Sequence, residues 1–239
     1  TAITGGVNLD GTVAGGSAGP VVVQASGDVS LGSVASITSS AAGDAIVVAA
    51  GGSFSNLAGS AALSAPNGRW LVYSTDPASD TRGGLSYDFK HYGQTYGGTA
   101  YAGPGVGNGL LYSTAPTITP GLTGSLTKTY DGTTAATLSA TNYITSGAID
   151  GDLVVLNNPA VGTYNNKNVL DANSVAVGGL SIASATDAAG NVASEAVTVD
   201  VSEVVEVPNW VASGVPSTTQ FVTAQQASAL PHMQINFPY

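Results

Sequence analysis

Few residues in this chain have the type and spacing to do chemistry. Carboxylates pair at Asp150-Gly151-Asp152 and at Asp76 and Asp80, as a general acid and base or an oxygen-ligated cation would require. A glycosidase sets its two carboxyls on opposite walls of a cleft, whereas these lie in turn sequence, where Asp commonly hydrogen-bonds its own backbone. Calcium would find oxygen ligands at Asp150 and Asp152, but the twelve-residue ligand loop is missing. His91 and His232 stand far apart, neither with a second ligand at metal spacing, and no Gly-x-Ser-x-Gly elbow occurs. This inventory predicts no enzyme, no cofactor and no metal. One covalent step has its residue types in place. Lys128 and Lys167 lie near Asn165, Asn166 and Asn168, the set for a lysine–asparagine crosslink with loss of ammonia, although solvated lysines are the simpler expectation.

The elements that would position these groups are β-strands. Charged residues are 8% of the 239, against roughly 25% in an average soluble protein, and 32 glycines accompany many Ser, Thr, Ala and Val. Disorder pairs low hydrophobicity with high charge, whereas this chain is 43% hydrophobic with a mean hydropathy of +0.22. Small and β-branched side chains suit closely stacked strands with tight turns. Fifteen acidic against five basic residues give a net charge of −10, which repels phosphate backbones and anionic headgroups. No segment approaches the ~20 apolar residues of a membrane helix. Neither a nucleic-acid partner nor membrane insertion is expected. Cysteine is absent, so disulfides and thiolate metal sites are excluded; the cysteine-free, glycine-rich, acidic composition reads as extracellular.

Residues 1–76 repeat. Val21-Val22-Val23-Gln24-Ala25-Ser26-Gly27-Asp28 aligns with Ile46-Val47-Val48-Ala49-Ala50-Gly51-Gly52-Ser53 at an offset of 25 residues, and the same offset carries Ile46 to Leu71 and Gly43 to Gly68. Gly5-Gly6-Val7-Asn8-Leu9 echoes Gly27-Asp28-Val29-Ser30-Leu31. A unit of this length stacks on its neighbours because alone it cannot bury its apolar face. The fold class predicted is all-β: a parallel β-helix of stacked coils of about 25 residues, ending near Arg69–Asp76 with Trp70 and Tyr73 as plugs, then a small Ig-like β-sandwich. A β-sandwich with look-alike strands is the alternative for the first part. The repeat is already running at Thr1, so a fragment of a longer stalk or an end that pairs with another molecule is expected.

Residues 77–118 form an aromatic- and glycine-rich cap and connector with Tyr87, Phe89, Tyr92, Tyr96, Tyr101 and Tyr112. These rings either seal the end of the stalk or present a platform for sugar rings. Residues 119–203 alternate short strands with turns such as Asp131-Gly132, Asp150-Gly151-Asp152 and Asn157-Asn158-Pro159, the pattern of a small sandwich. Residues 204–239 are a tail that folds back along the sandwich or adds a strand to a neighbouring molecule.

Two segments of this region carry a resemblance. Thr127-Lys128-Thr129-Tyr130-Asp131-Gly132-Thr133-Thr134-Ala135-Ala136-Thr137, followed by Gly162-Thr163-Tyr164-Asn165-Asn166-Lys167-Asn168-Val169, resembles the YDG module, a small β-domain near the C-termini of large bacterial surface adhesins. Tyr130, Asp131, Gly132, Tyr164 and Lys167 are its motif positions here. The resemblance covers about residues 122–185 and fades after Leu180. Pro66-Asn67-Gly68-Arg69-Trp70-Leu71-Val72-Tyr73-Ser74-Thr75-Asp76-Pro77 is similar to the end of the β-helical stalk in filamentous-haemagglutinin-like proteins of two-partner secretion. The resemblance implies a bacterial cell-surface location, an outer-membrane secretion partner for export, and a rigid structural role in attachment or biofilm. The partners it implies are further copies of the chain or a host or biofilm surface of glycan or protein. A self-assembling subunit of an extracellular filament is the alternative, and a polysaccharide-processing β-helix enzyme a weaker one.

Overall fold

A computed structural model of the chain describes residues 2–98, 106–124, 126, 128, 130–168, 171–194, 198–199 and 205–206. Among these the protein is nearly all β, with short sheets of both parallel and antiparallel pairing and only two 3-10 turns, Pro77–Ser79 and Ala140–Asn142. Contacts divide the chain into two compact units. The first comprises Thr1–Thr117, Ala148–Val154 and Ser184–Thr198; the second comprises Ile118–Gly147, Val155–Ala183 and Val199–Tyr239. This division is not contiguous in sequence, unlike the segments 1–76, 77–118, 119–203 and 204–239.

In the first unit, strands of successive sequence repeats pair side by side and in parallel. Val7–Leu9 pairs with Val29–Leu31, and that with Phe54–Asn56. Thr12–Gly15 pairs with Ser36–Ser39, and that with Leu63–Ser64. Val21–Ala25 lies on Gly43–Ala50, which lies on Gly68–Ser74. Many rungs set like on like (Val29 beside Phe54, Val13 beside Ile37, Val23 beside Val48), so apolar side chains superpose and close out water. Val29, Leu31, Ile37, Ile46, Val48 and Phe54 are fully enclosed.

The register departs from the repeat alignment in one place. Gly43 does face Gly68, but an irregularity between Arg69 and Trp70 shifts the strand, so Ile46 faces Trp70 and Leu71 faces Val47. The 25-residue equivalence of Ile46 with Leu71 is therefore corrected: a bulge absorbs one residue while both strands keep their apolar faces inward. Nor does the parallel pairing stop near Asp76. Gly109–Tyr112 pairs with Gly68–Ser74, Phe89–Tyr92 with Gly109–Tyr112, and Val192–Ser194 with Phe89–His91, all in parallel. Trp70 and Tyr73 are thus buried inside a continuing sheet.

The second unit is antiparallel. Thr117–Leu122 pairs with Tyr143–Ser146. Val161–Tyr164 pairs with both Ala135–Thr137 and Ser174–Ala176, and the latter with Val205–Glu206. Leu126, Ala136, Leu138, Tyr164, Val175 and Val177 form its core. The alternation of exposed and buried residues along Val161–Tyr164 fits a sheet with one wet face.

Candidate functional site

Two features of the first unit have the makings of a site. One is a groove of about 260 Å³ at the ends of three stacked strands, lined by residues 24–26, 49–51, 73–75, 94–96 and 113. The parallel ladder builds it: because Gln24 faces Ala49 and Ala49 faces Tyr73, three successive rungs end together. The segment after Tyr92 then runs across them, with Gly93 N–H donating to Thr114 O and Gln94 N–H donating to Tyr112 O. No lining side chain is charged. Its walls are amides (Gln24, Gln94), hydroxyls and two rings. Tyr73 and Tyr96 meet edge to face with centroids 5.4 Å apart, and Tyr96 keeps 39% of its surface exposed.

The other is an ionic cluster around Lys90. Lys90 and Tyr92 alternate on Phe89–Tyr92 and so share a face. Opposite lies the turn Ile149–Asp152, closed by Asp152 N–H donating to Ile149 O. Its central residues Asp150 and Gly151 have φ of 56° and 72°, a pairing that short polar Asp and Gly tolerate. The turn aims both carboxylates at the same ammonium. Lys90 Nζ lies 2.6 Å from Asp150 Oδ2 and is also bonded to Asp152 Oδ1. Tyr92 OH donates to Asp152 Oδ2 at 2.5 Å, and Arg82 Nη2 reaches Asp150 Oδ2 at 2.6 Å. Lys90 is wholly buried, and the Asp152 side chain is 3% exposed.

Electrostatics follow from that enclosure. Burial pushes the Asp150 carboxyl up, but hydrogen bonds from Lys90 and Arg82, with their positive charges, outweigh it and hold the group below its ordinary value. Burial first, and then the hydrogen bond to Asp152, raises the Tyr92 hydroxyl far above the usual phenol range, so it remains a donor. Burial likewise raises Tyr112, whose ring stacks on Tyr92 at 5.7 Å and whose hydroxyl accepts from Arg82 Nε at 3.2 Å. Asp150 and Asp152 face Lys90 and Arg82, so the positive charge at the turn is supplied by side chains. Among the described residues no group of three His, Asp or Glu is placed to hold a metal ion.

The structure separates the aromatic residues singled out in the sequence. Phe89, Tyr92 and Tyr112 are buried in the sheet, Tyr87 is half-buried beside Arg82, and Tyr96 borders the groove. Tyr101 lies outside the described residues. Of the motif positions, Tyr164 is in the second unit's core, whereas Tyr130 is 57% exposed. Asp131 accepts from Thr133 N at 2.8 Å and pairs with Lys128 at 2.7 Å. Those bonds, led by the one to Lys128, lower its carboxyl to about 2. Gly132 takes φ 73° in the same turn, and Lys167 is exposed.

The lysine–asparagine crosslink is not what the geometry offers. Lys128 Nζ is bonded to Thr133 O, Thr133 Oγ1, Ala135 O and Asp131 within its own loop, and Lys167 faces solvent. The sequence gives little sign of Lys90 as a site residue. Its only signal in the sequence is a scarce cation set between Phe89 and Tyr92, while its partners lie about sixty positions away.

With this geometry in hand, comparison with known proteins places one stretch. Residues 113–198 match the YDG domain. The chain therefore carries a YDG-type module, somewhat longer at both ends than the motif residues alone delimit. The YDG-matched stretch contributes to both compact units: Ala148–Val154, with the Asp150 turn, and Ser184–Thr198 belong to the first. No curated protein and no solved structure shows a significant match to the chain.

Proposed function

We propose that the chain is an extracellular structural and adhesive module of a bacterial surface, of the filamentous-haemagglutinin-like kind exported with an outer-membrane partner. In this reading the parallel ladders of the first unit are the coils of a β-helical stalk. The antiparallel sheets of the second are the small sandwich of a YDG module, and the chain catalyses nothing. The YDG match and the low charge of the chain support it.

The observation that carries the adhesive part is the groove. An uncharged lining of amides, hydroxyls and tyrosine rings suits an uncharged polysaccharide strand: the rings stack on sugar faces, and the amides bond hydroxyls. A charged ligand would lose its hydration there with no counter-charge in return. The test is binding of a panel of neutral and acidic oligosaccharides to the full chain by calorimetry, beside Tyr96→Ala and Gln94→Ala. Neutral sugars should bind, and each variant should weaken binding at least about tenfold, the scale of one lost anchor. A panel that does not bind, or a Tyr96→Ala protein binding like the original, would overturn the reading.

A further inference from the structure

We propose that Lys90 and Asp152 condense into a covalent amide, an internal crosslink between the strand Phe89–Tyr92 and the turn Ile149–Asp152. This goes beyond the adhesive reading and does not depend on it. Three observations point to it. The reacting groups are already in contact, Lys90 Nζ against Asp152 Oδ1. Both are almost wholly enclosed. And each has the auxiliary group that condensation requires, a proton acceptor on the nitrogen and a hydrogen-bond donor on the carboxyl.

The chemistry balances with water as the only other product. In a dry site neither the ammonium nor the carboxylate has the solvent that makes the ionic pair favourable in bulk water. A proton passes from Lys90 Nζ to Asp152, leaving an amine and a carboxylic acid. The nitrogen lone pair attacks Asp152 Cγ, and the negative charge developing on Oδ2 accepts the hydrogen bond from Tyr92 OH, as an oxyanion hole would provide. Asp150, its charge held by Arg82, takes the second proton from nitrogen and returns it to the departing hydroxyl, which leaves as water. One C–N bond forms and one C–O bond breaks; ammonium plus carboxylate becomes amide plus water. Holding the pair at contact supplies the proximity that a bimolecular condensation lacks.

Asp152 is the acceptor and Asp150 the proton carrier because their surroundings differ. Asp152 is the more enclosed and touches Tyr92. Asp150 is 19% exposed and keeps Arg82 as a counter-charge after Lys90 is consumed.

Intact mass and a tryptic map of the full chain test this. Condensation lowers the mass by one water, about 18 Da, as a covalent modification visible without any variant. Trypsin would then fail to cut after Lys90, and the peptide Gly83–Lys128 would be found joined to Thr129–Lys167, with fragment ions placing the bond on Asp152. Lys90→Arg, which keeps the charge but cannot form this bond, should restore the full mass; Asp150→Asn should leave most of the protein uncrosslinked. Full mass with normal cutting after Lys90 overturns the proposal. So does a lost water with separate peptides, because Asp131-Gly132 and Asp150-Gly151 can each lose water by cyclising onto the backbone. A bond found at Asp150 overturns the assignment of the acceptor.

Discussion

Gly83 lies against the buried Asn56: a Cβ at Gly83 would stand 2.4 Å from Asn56 O and 2.6 Å from its Nδ2. Asn56 is itself 1% exposed. Its Nδ2 donates to Gly59 O at 2.9 Å and Arg82 O at 3.1 Å, while its Oδ1 accepts from Ala58 N at 2.9 Å. A polar side chain can occupy the column above Leu31 only because every one of these groups is met. Gly83 adds a left-handed φ of 59° that a side chain would strain.

Gly83→Ala is therefore expected to destabilise by about 1–3 kcal/mol, the range for a strained non-glycine backbone. Urea unfolding of the two proteins checks this. A midpoint within error of the original would mean that the backbone here gives way freely.

A second close approach lies inside the ladder, where Gly109 faces Phe89 in register. A Cβ at Gly109 would fall 2.1 Å from the Phe89 ring, which is 1% exposed and packs with Leu71 and Leu111. Gly109→Ala should cost about 1–3 kcal/mol by overpacking. Pairing it with Phe89→Leu should recover part of that loss, because the smaller side chain vacates the space. A double variant no better than the sum of the two single changes would count against this contact as the cause.

Acid should weaken the first unit through Asp187. Burial pushes its carboxyl up, but hydrogen bonds from Tyr87, Asn191 and Ala189 hold it below its ordinary value. The folded state thus favours the ionised form. That stability is complete above the unfolded value of about 3.9 and is lost as pH falls through the lower folded value. Asp80 runs the other way, because burial raises it, so the difference between the original protein and Asp187→Asn is the informative quantity. The urea midpoints of the two should diverge at neutral pH and draw together as pH falls below the ordinary carboxylate range. Parallel curves throughout would show that Asp187 does not titrate with folding.

The sequence disclosed the ladder where like residues share a rung. Val7-Asn8-Leu9 and Val29-Ser30-Leu31 are similar because they occupy equivalent places in successive repeats, and they pair residue for residue. It disclosed the Asp131-Gly132 turn because Asp-Gly is a local turn signal. The shift at Arg69 and Trp70 left no trace, because a bulge changes which residues meet without changing which are apolar. The Lys90 cluster was equally silent: its members come from a strand and a turn about sixty positions apart, and residue types alone do not reveal which distant groups will enclose one another. Lysines near asparagines in sequence drew attention to Lys128 and Lys167, whereas burial selects Lys90.

The non-contiguous make-up of the two units limits how this chain can be inherited in pieces. The chain passes from one unit to the other after Thr117, Gly147, Val154, Ala183 and Thr198. The YDG-matched residues 113–198, although contiguous in sequence, contribute to both units and so are not a separate bead on a string. A transplanted copy would arrive with an acidic turn and the strand Val192–Ser194, both of which meet the strand Phe89–Tyr92 here. Asp150 and Asp152 would reach solvent without their cations, and Val192–Ser194 would offer an unpaired edge to any neighbour. Exchange between genes should favour blocks that carry Phe89–Tyr92 along with its acidic turn.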